Sequence, residues 1–314
     1  MPQTATAETI KDISIGIAIT SLLLTITALW LGFFSYFSPL PSLYYRIKLG
    51  RKFGAIIPAA TLVLMIIMLG GLSIDCVFFF GLVFIGFALG EFFELHLSVE
   101  KTIAYTCAVV LSIGVVVLFF YSSFSATGIK TLVSEDVRKT LEHGIQILKN
   151  MGFATAGAIP EPEAFEKIHF YLVRIVPAWV VASTLFHIWA TLILAKPILV
   201  WRNLNYPEFG PLNLWQAPEY FVWIVIACGL MLLIPETSLK LLGISGLLIL
   251  MPVYFFQGIA IVAFYIDKKQ LSRFLRIVSY SLIAMQPLLL LAVIAMGFFD
   301  VWLNFRRLET AKNN

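Results

Sequence analysis

The chain has 314 residues, of which 60% are hydrophobic and only 13% charged, and its mean hydropathy is +0.92. So little charge excludes a water-soluble domain of this size. The net charge of +4 is small and dispersed, which leaves no basic patch for nucleic acid.

Apolar runs recur about eight times, over residues 13–37, 55–72, 76–90, 103–124, 171–195, 220–234, 239–266 and 277–299. A helix rises 1.5 Å per residue, so roughly 20 residues cross a hydrocarbon core of about 30 Å. Backbone groups in hydrocarbon must be satisfied within the segment, so such runs become helices. The expected fold is all-α: a polytopic transmembrane helix bundle of about eight spans, plus one short Pro-rich segment after the first helix. It forms a single integral membrane domain over 1–314, multi-pass in the cytoplasmic (inner) membrane. The first run is too long for a signal-peptide core and lacks a small-residue cleavage site, so it is read as retained.

Residues 39–50 follow the first run and contain Pro39 and Pro41. As a helix they cover about 18 Å, too little to span alone. A re-entrant or tilted crossing there puts the N-terminus in the cytoplasm; a loop puts it outside. Short basic loops mark the cytoplasmic side: Arg46, Lys48, Arg51 and Lys52 in one, Lys268, Lys269, Arg273 and Arg276 in the other. The same threading leaves Arg306, Arg307 and Lys312 outside, against that rule. Glu91 and Glu94, three residues apart, share one face at the cytoplasmic end of the third helix. Such a pair suits proton carriage or a grip on a cytoplasmic partner; a hydrated helix end is the plainer reading. Gly86-x-x-x-Gly90 on that helix is a small-residue packing signal.

Residues 125–168 form the one sizeable polar insertion and face outward. Ser134 before Glu135 and Asp136 reads as an N-cap, and Val137, Leu141, Ile145 and Leu148 make an apolar stripe. An amphipathic helix is therefore expected over 135–150, either a lid over an outward cavity or a helix flat on the membrane. Residues 152–162 break it.

His187 lies near the middle of the fifth run, with Trp189 beside it. Arg174 is 13 residues away, about 20 Å along the axis, and is expected to snorkel outward or pair with Glu163 or Glu166. Residues 196–218 read as a cytoplasmic Pro/aromatic loop that cannot be one helix, suited to interfacial anchoring or to partner binding. Gln257 and Gln286 are central amides of the last two runs. Ionisable and amide groups at this depth are costly, so His187, Trp189, Gln257 and Gln286 are the candidate ligand contacts. Interhelical hydrogen bonds, worth about 1 kcal/mol, are the alternative use of the same groups. His187 and Gln257 are expected to point into the bundle and to line or close a shared cavity. Pro177, Pro252 and Pro287 are expected to interrupt helices.

No His-Glu-x-x-His, Gly-x-Ser-x-Gly, Walker loop or Cys/His cluster occurs, so neither an enzyme nor a metal or cofactor site is expected. Cys76, Cys107 and Cys228 have no Cys-x-x-Cys spacing and read as small apolar residues.

Gly297-Phe-Phe-Asp-Val-Trp-Leu-Asn-Phe-Arg306, with Phe256-Gln-Gly-Ile-Ala-Ile-Val262, resembles the closing motifs of the YybS-like bacterial membrane proteins. Lys196-Pro197, Arg202 to Pro207 and Trp215-x-x-Pro218 are similar to that family's middle loop. The resemblance spans essentially the whole chain and implies architecture more than activity. More distantly, the long first helix, the short segment with Pro39 and Pro41, then Gly50 and Gly54, look like the substrate-binding S components of energy-coupling factor transporters. That likeness implies a cytoplasmic N-terminus and a small-solute site. The chain departs from it in its extra C-terminal helices, its 125–168 insertion and the absence of an Ala-x-x-x-Ala coupling motif in the first helix.

Two functions remain open. One is a small-solute binding or transport subunit similar to an S component, with lipid and a small-molecule ligand as partners. The other is a non-transporting scaffold that docks a cytoplasmic or membrane protein through its loops.

Overall fold

The computed structural model describes residues 6–29, 32–68, 70, 71, 73–124, 128–150 and 160–306. Among them every regular element is helical: α1 (Ala7–Leu29), α2 (Pro39–Gly54), α3 (Ile56–Met68), α4 (Ile74–Phe93), α5 (Val99–Phe124), α6 (Ile129–Asn150), α7 (Pro162–Trp201), α8 (Tyr220–Leu233), α9 (Thr237–Lys268), α10 (Arg273–Met285) and α11 (Pro287–Leu303). Short 3-10 turns occupy Gly32–Phe37 and Leu212–Leu214.

Among the described residues five helices (α1, α4, α5, α7 and α9) are long and apolar enough to cross a membrane. The number rises to seven if α2–α3, bent by 88°, and α10–α11, bent by 101°, each count as one; α8 is a shorter apolar helix. Each apolar run thus contributes a helix; the α10–α11 bend falls inside the last run, whereas the α2–α3 bend falls at the border between the Pro-rich segment and the second run.

The breaks have local causes. Pro287 cannot donate to the preceding turn and forces Gln286 out of the helical region, to φ −105° and ψ 108°. In α2, Gly50 sits at φ 77°, a conformation that costs a glycine little, and turns the last residues back on the helix. Gly54 then lies so close to Arg46 that a Cβ there would sit 2.7 Å from the Arg46 Cα.

Several boundaries differ from those expected. The first run is not one helix to residue 37, since α1 ends at Leu29 and the chain resumes as a 3-10 turn. Ser134 is not an N-cap: α6 begins five residues earlier, where Leu132 already donates to the Gly128 carbonyl. The expected break at 152–162 falls largely on 151–159, outside the described residues. Residues 196–201 are the last turns of the 40-residue α7, so the loop begins only at Arg202. Lys196 and Pro197 are therefore helical.

By its contacts the chain divides into two compact units. The first comprises Met1–Val176 and His187–Pro207. Within it the Asp12–Lys48 ion pair, at 2.7 Å, ties the start of α1 to the last part of α2. Gly16 of α1 lies against Tyr45 and Ile57, while Leu24 joins Met65, Phe79, Leu82 and Val83 in one apolar cluster. Helices α1 and α3 therefore run in the same direction. Helix α2 runs back beside α4: Gly86 meets the Pro39 carbonyl and Leu43, and Gly90 meets Leu43 and Arg46. So α2 returns the chain to the end where α1 began, and the short Pro-rich segment is a re-entrant helix, not a loop. The N-terminal end of α1 consequently shares its face with Arg46, Lys48, Arg51 and Lys52. Helix α6 lies on the first turns of α7, through Ser134 to His169 (3.3 Å) and Arg138 to Glu166 (3.0 Å).

The second unit comprises Pro177–Phe186 and Glu208–Asn314. Here α9 and α11 touch backbone to backbone, because Gly258 lies on the Val293 carbonyl and Gly297 on the Tyr254 carbonyl. Both ends of the α10–α11 pair meet the C-terminal end of α9. Arg276 of α10 bonds Asp267 at 2.7 Å, and the Tyr265 hydroxyl donates to the Phe305 carbonyl at 2.7 Å. A straight helix of about 30 residues would hold those ends some 45 Å apart. The pair therefore turns back on itself as a hairpin beside α9. Arg306 returns to the end that carries Lys268 and Arg276, which corrects the expectation that the tail crosses to the other side.

Candidate functional site

The first unit holds a file of buried polar side chains. Ser38, Ser42 and Arg46 recur every fourth residue of α2, which stacks them on one face. That face is turned inward: the two serines are 0% exposed and Arg46 is 1% exposed. At one end of the file the Ser35 hydroxyl meets His187 Nε2 at 2.9 Å, and the His187 ring lies 4.9 Å from that of Tyr36. The His187 carbonyl accepts from Thr191 at 2.6 Å. At the other end Arg46 donates from Nε to Glu91 (2.6 Å) and from Nη1 to Glu94 (3.0 Å). Arg51 completes the cluster at 3.3 Å from the second Glu91 oxygen. Phe87 covers the Arg46 guanidinium, with its ring centre 5.9 Å away.

Glu91 and Glu94 are thus not simply a hydrated helix end; a buried arginine grips both. From sequence, Arg46 reads only as a marker of sidedness, because nothing in the primary structure says which basic residue of residues 46–52 turns inward. The i, i+4, i+8 spacing of Ser38, Ser42 and Arg46 is a signal that finds it. Two atoms of the file, Ser42 Oγ and Arg46 Nη2, are among the eight buried side-chain atoms that have no partner within the described residues; Arg306 Nε is another. Buried polar atoms in folded proteins almost always have one, so a water or a ligand atom belongs beside each.

The other candidates scatter. Trp189 is buried, but two residues from His187 places it about 200° around α7 and so on the opposite face. Arg174 is exposed, donates to the Phe170 carbonyl at 3.0 Å and covers the Phe170 ring. The glutamates expected for it pair elsewhere: Glu166 with Arg138 and Glu163 with Lys167. Gln286 is exposed at the break between α10 and α11.

Gln257 belongs to a second network, in the second unit. Its Nε2 donates to Asp300 at 3.2 Å and its Oε1 accepts from the Ala217 N–H at 3.3 Å. Asp300 also accepts from the Phe305 N–H and pairs with Arg306 at 2.8 Å, both side chains at 0% exposure. Arg306 Nη1 then donates to the carbonyls of Asn213 and Trp215, each at 2.9 Å. Asn304, left-handed at φ 39°, turns the chain so that Arg306 reaches back. His187 belongs to the first unit and Gln257 to the second, each with partners of its own. Outside the spans, burial and the nearby Asp75 push the Asp136 carboxyl of α6 up, and burial does the same to the Tyr206 phenol, which donates to the Leu192 carbonyl.

Long apolar helices, two sharply bent helix pairs and buried charge clusters define a polytopic helical membrane protein. The chain belongs to the family described as predicted membrane protein (DUF2232), which matches residues 16–301. It is 23% identical over 284 residues to a Bacillus subtilis (strain 168) protein titled uncharacterized protein YybS, covering 85% of this chain and 86% of that one. No solved structure matches. Some of the stretches that carry the resemblance to YybS-like proteins meet in the second network: Gln257 and Gly258, the 213–217 loop, and Gly297, Asp300, Asn304 and Arg306; Lys196-Pro197 and Arg202 to Pro207 belong to the first unit.

Proposed function

We propose that the protein is a small-solute binding or transport subunit of the bacterial cytoplasmic membrane, with the polar file of α2 as its solute site and no catalytic role. The file carries the reading. Polar side chains inside a membrane helix bundle are costly and are retained where something polar binds or passes. Two of these atoms lack a protein partner. Two broken helix pairs support it, since discontinuous helices form solute sites in secondary transporters. The short re-entrant α2 after a long first helix is also the feature on which the likeness to S components rests.

The Arg306 network favours a second reading. A buried ion pair that holds loop carbonyls fixes a loop in one conformation, and the exposed Glu208, Gln216 and Glu219 of that loop then form a preset docking surface. One experiment separates the two. The full chain is purified in mild detergent, and both the small molecules it releases on denaturation and the proteins that accompany it are identified by mass spectrometry. A polar small molecule, lost in Ser42→Ala and His187→Ala, is the expected result. A stoichiometric protein partner with no small molecule overturns the solute reading in favour of the scaffold.

A further inference from the structure

We propose that Arg46, Glu91, Glu94 and Arg51 form a charge-pair gate that closes the polar file at its basic end and opens when Arg46 releases its carboxylates. The inference rests on the solute-site reading above. It deepens that reading by naming what controls entry and what class of solute passes.

The Arg46 side chain is held in two different ways. Its stem lies against two glycines: a Cβ on Gly90 would lie 2.6 Å from the Arg46 Cγ, and one on Gly54 would lie 3.3 Å from the Arg46 Cδ. Its head is held by carboxylates and the face of Phe87. A fixed stem with a charge-held head is a hinged part. Exposure rises steeply along the ion-pair chain, from 1% at Arg46 to 24% at Glu91, 65% at Glu94 and 78% at Arg51. The cluster therefore stands at the boundary between the interior and solvent. Ser42 and Ser38 lie one and two turns further in, about 6 and 12 Å along α2. Ser42 Oγ, on this inner side, and Arg46 Nη2 are both buried and have no partner within the described residues. Arg46 is long enough to snorkel to the surface once its carboxylates are lost.

The cluster also selects. Two guanidinium groups and two carboxylates sum to zero, and Lys48 beside them is paired with Asp12, so the gate itself presents dipoles and no net charge to a solute. Arg46 Nη2 offers only donors, and the serine hydroxyls offer a donor and an acceptor each. The solute that fits is a small neutral molecule with a carbonyl or hydroxyl oxygen, with water filling the file in its absence.

The test labels the file directly. In the full chain with Cys76, Cys107 and Cys228 replaced by alanine, Ser42→Cys is exposed to a small hydrophilic methanethiosulfonate reagent in inverted membrane vesicles, with and without Glu91→Gln and Glu94→Gln. Losing these charge-assisted hydrogen bonds is expected to raise the labelling rate roughly tenfold or more. Ser38→Cys as a second labelling site and Arg46→Lys as a milder opening change keep the test decisive where the double glutamine variant folds poorly, as read by size exclusion. Fast labelling that does not differ between the backgrounds overturns the gate and leaves the polar site standing. A thiol unreactive at both positions in every background overturns the polar site, and the gate with it.

Discussion

Asp300 and Arg306 are both fully buried, so their attraction must offset the loss of two hydration shells. Such pairs often stabilise no better than apolar residues of the same volume, whereas removing one partner costs about 3–5 kcal/mol by stranding the other. What this pair does in addition is hold Asn213 and Trp215 by their carbonyls. Arg306→Met is accordingly expected to lower the detergent unfolding midpoint strongly. The double change Asp300→Leu with Arg306→Met should restore most of it while leaving the 203–219 loop open to protease. A double variant as unstable as the single one would mean that the pair contributes more than its mutual neutralisation. Of this site the sequence singles out Gln257 alone. Asp300 was missed, although a carboxylate inside the run Phe298-Phe-Asp-Val-Trp302 is a signal at membrane depth. Arg306 was not legible, because its burial depends on the left-handed turn at Asn304.

At the scale of elements, glycine decides which helices touch. Gly86 lets α4 rest on the Pro39 carbonyl of α2, and that approach brings Arg46 within reach of Glu91. Gly86→Ala should destabilise by about 1–3 kcal/mol through overpacking, because the atoms it meets are backbone and cannot turn aside. Gly81, on the same helix, has nothing within 4 Å of a built Cβ. Gly81→Ala is therefore the control, expected to be neutral or to stabilise by up to about 1 kcal/mol from helix propensity. Equal losses in the two variants, measured by thermal unfolding in one detergent, would refute close packing as the cause. The Gly86-x-x-x-Gly90 spacing announces this contact, and the apolar runs announce the helices. The bends do not announce themselves to the same degree. Pro287 marks an interruption, but whether a chain kinks slightly or turns by 101° there depends on Gly297 and Gly258 offering α11 a place against α9. For α6 the apolar stripe was readable, whereas its start was not. A serine inside a helix looks like a cap when the preceding turn is unknown.

For the whole molecule, the two re-entrant pairs change the count of crossings and so the side of each terminus. In the first unit α1 begins beside Lys48, and α6 lies near Asp75, at the end of α4 far from Glu91. In the second unit the return of α11 to Asp267 brings Arg306 level with the basic loop. Short loops rich in Lys and Arg stay on the cytoplasmic side. Both termini and the 268–276 loop should then be cytoplasmic, with α6 outside, and the apparent violation by the basic tail disappears. Single cysteines at Lys11, Lys149 and Lys269 and a C-terminal tag test this with an impermeant reagent and an antibody. In intact cells only Lys149→Cys should react, and in inverted vesicles the other three sites should become accessible. A tag accessible in intact cells while Lys269→Cys stays protected would mean that α10 and α11 cross the membrane as one span. The hydrogen bonds that tie Arg276 and Phe305 to one end of α9 could not then form together, so this single result would refute the re-entrant hairpin.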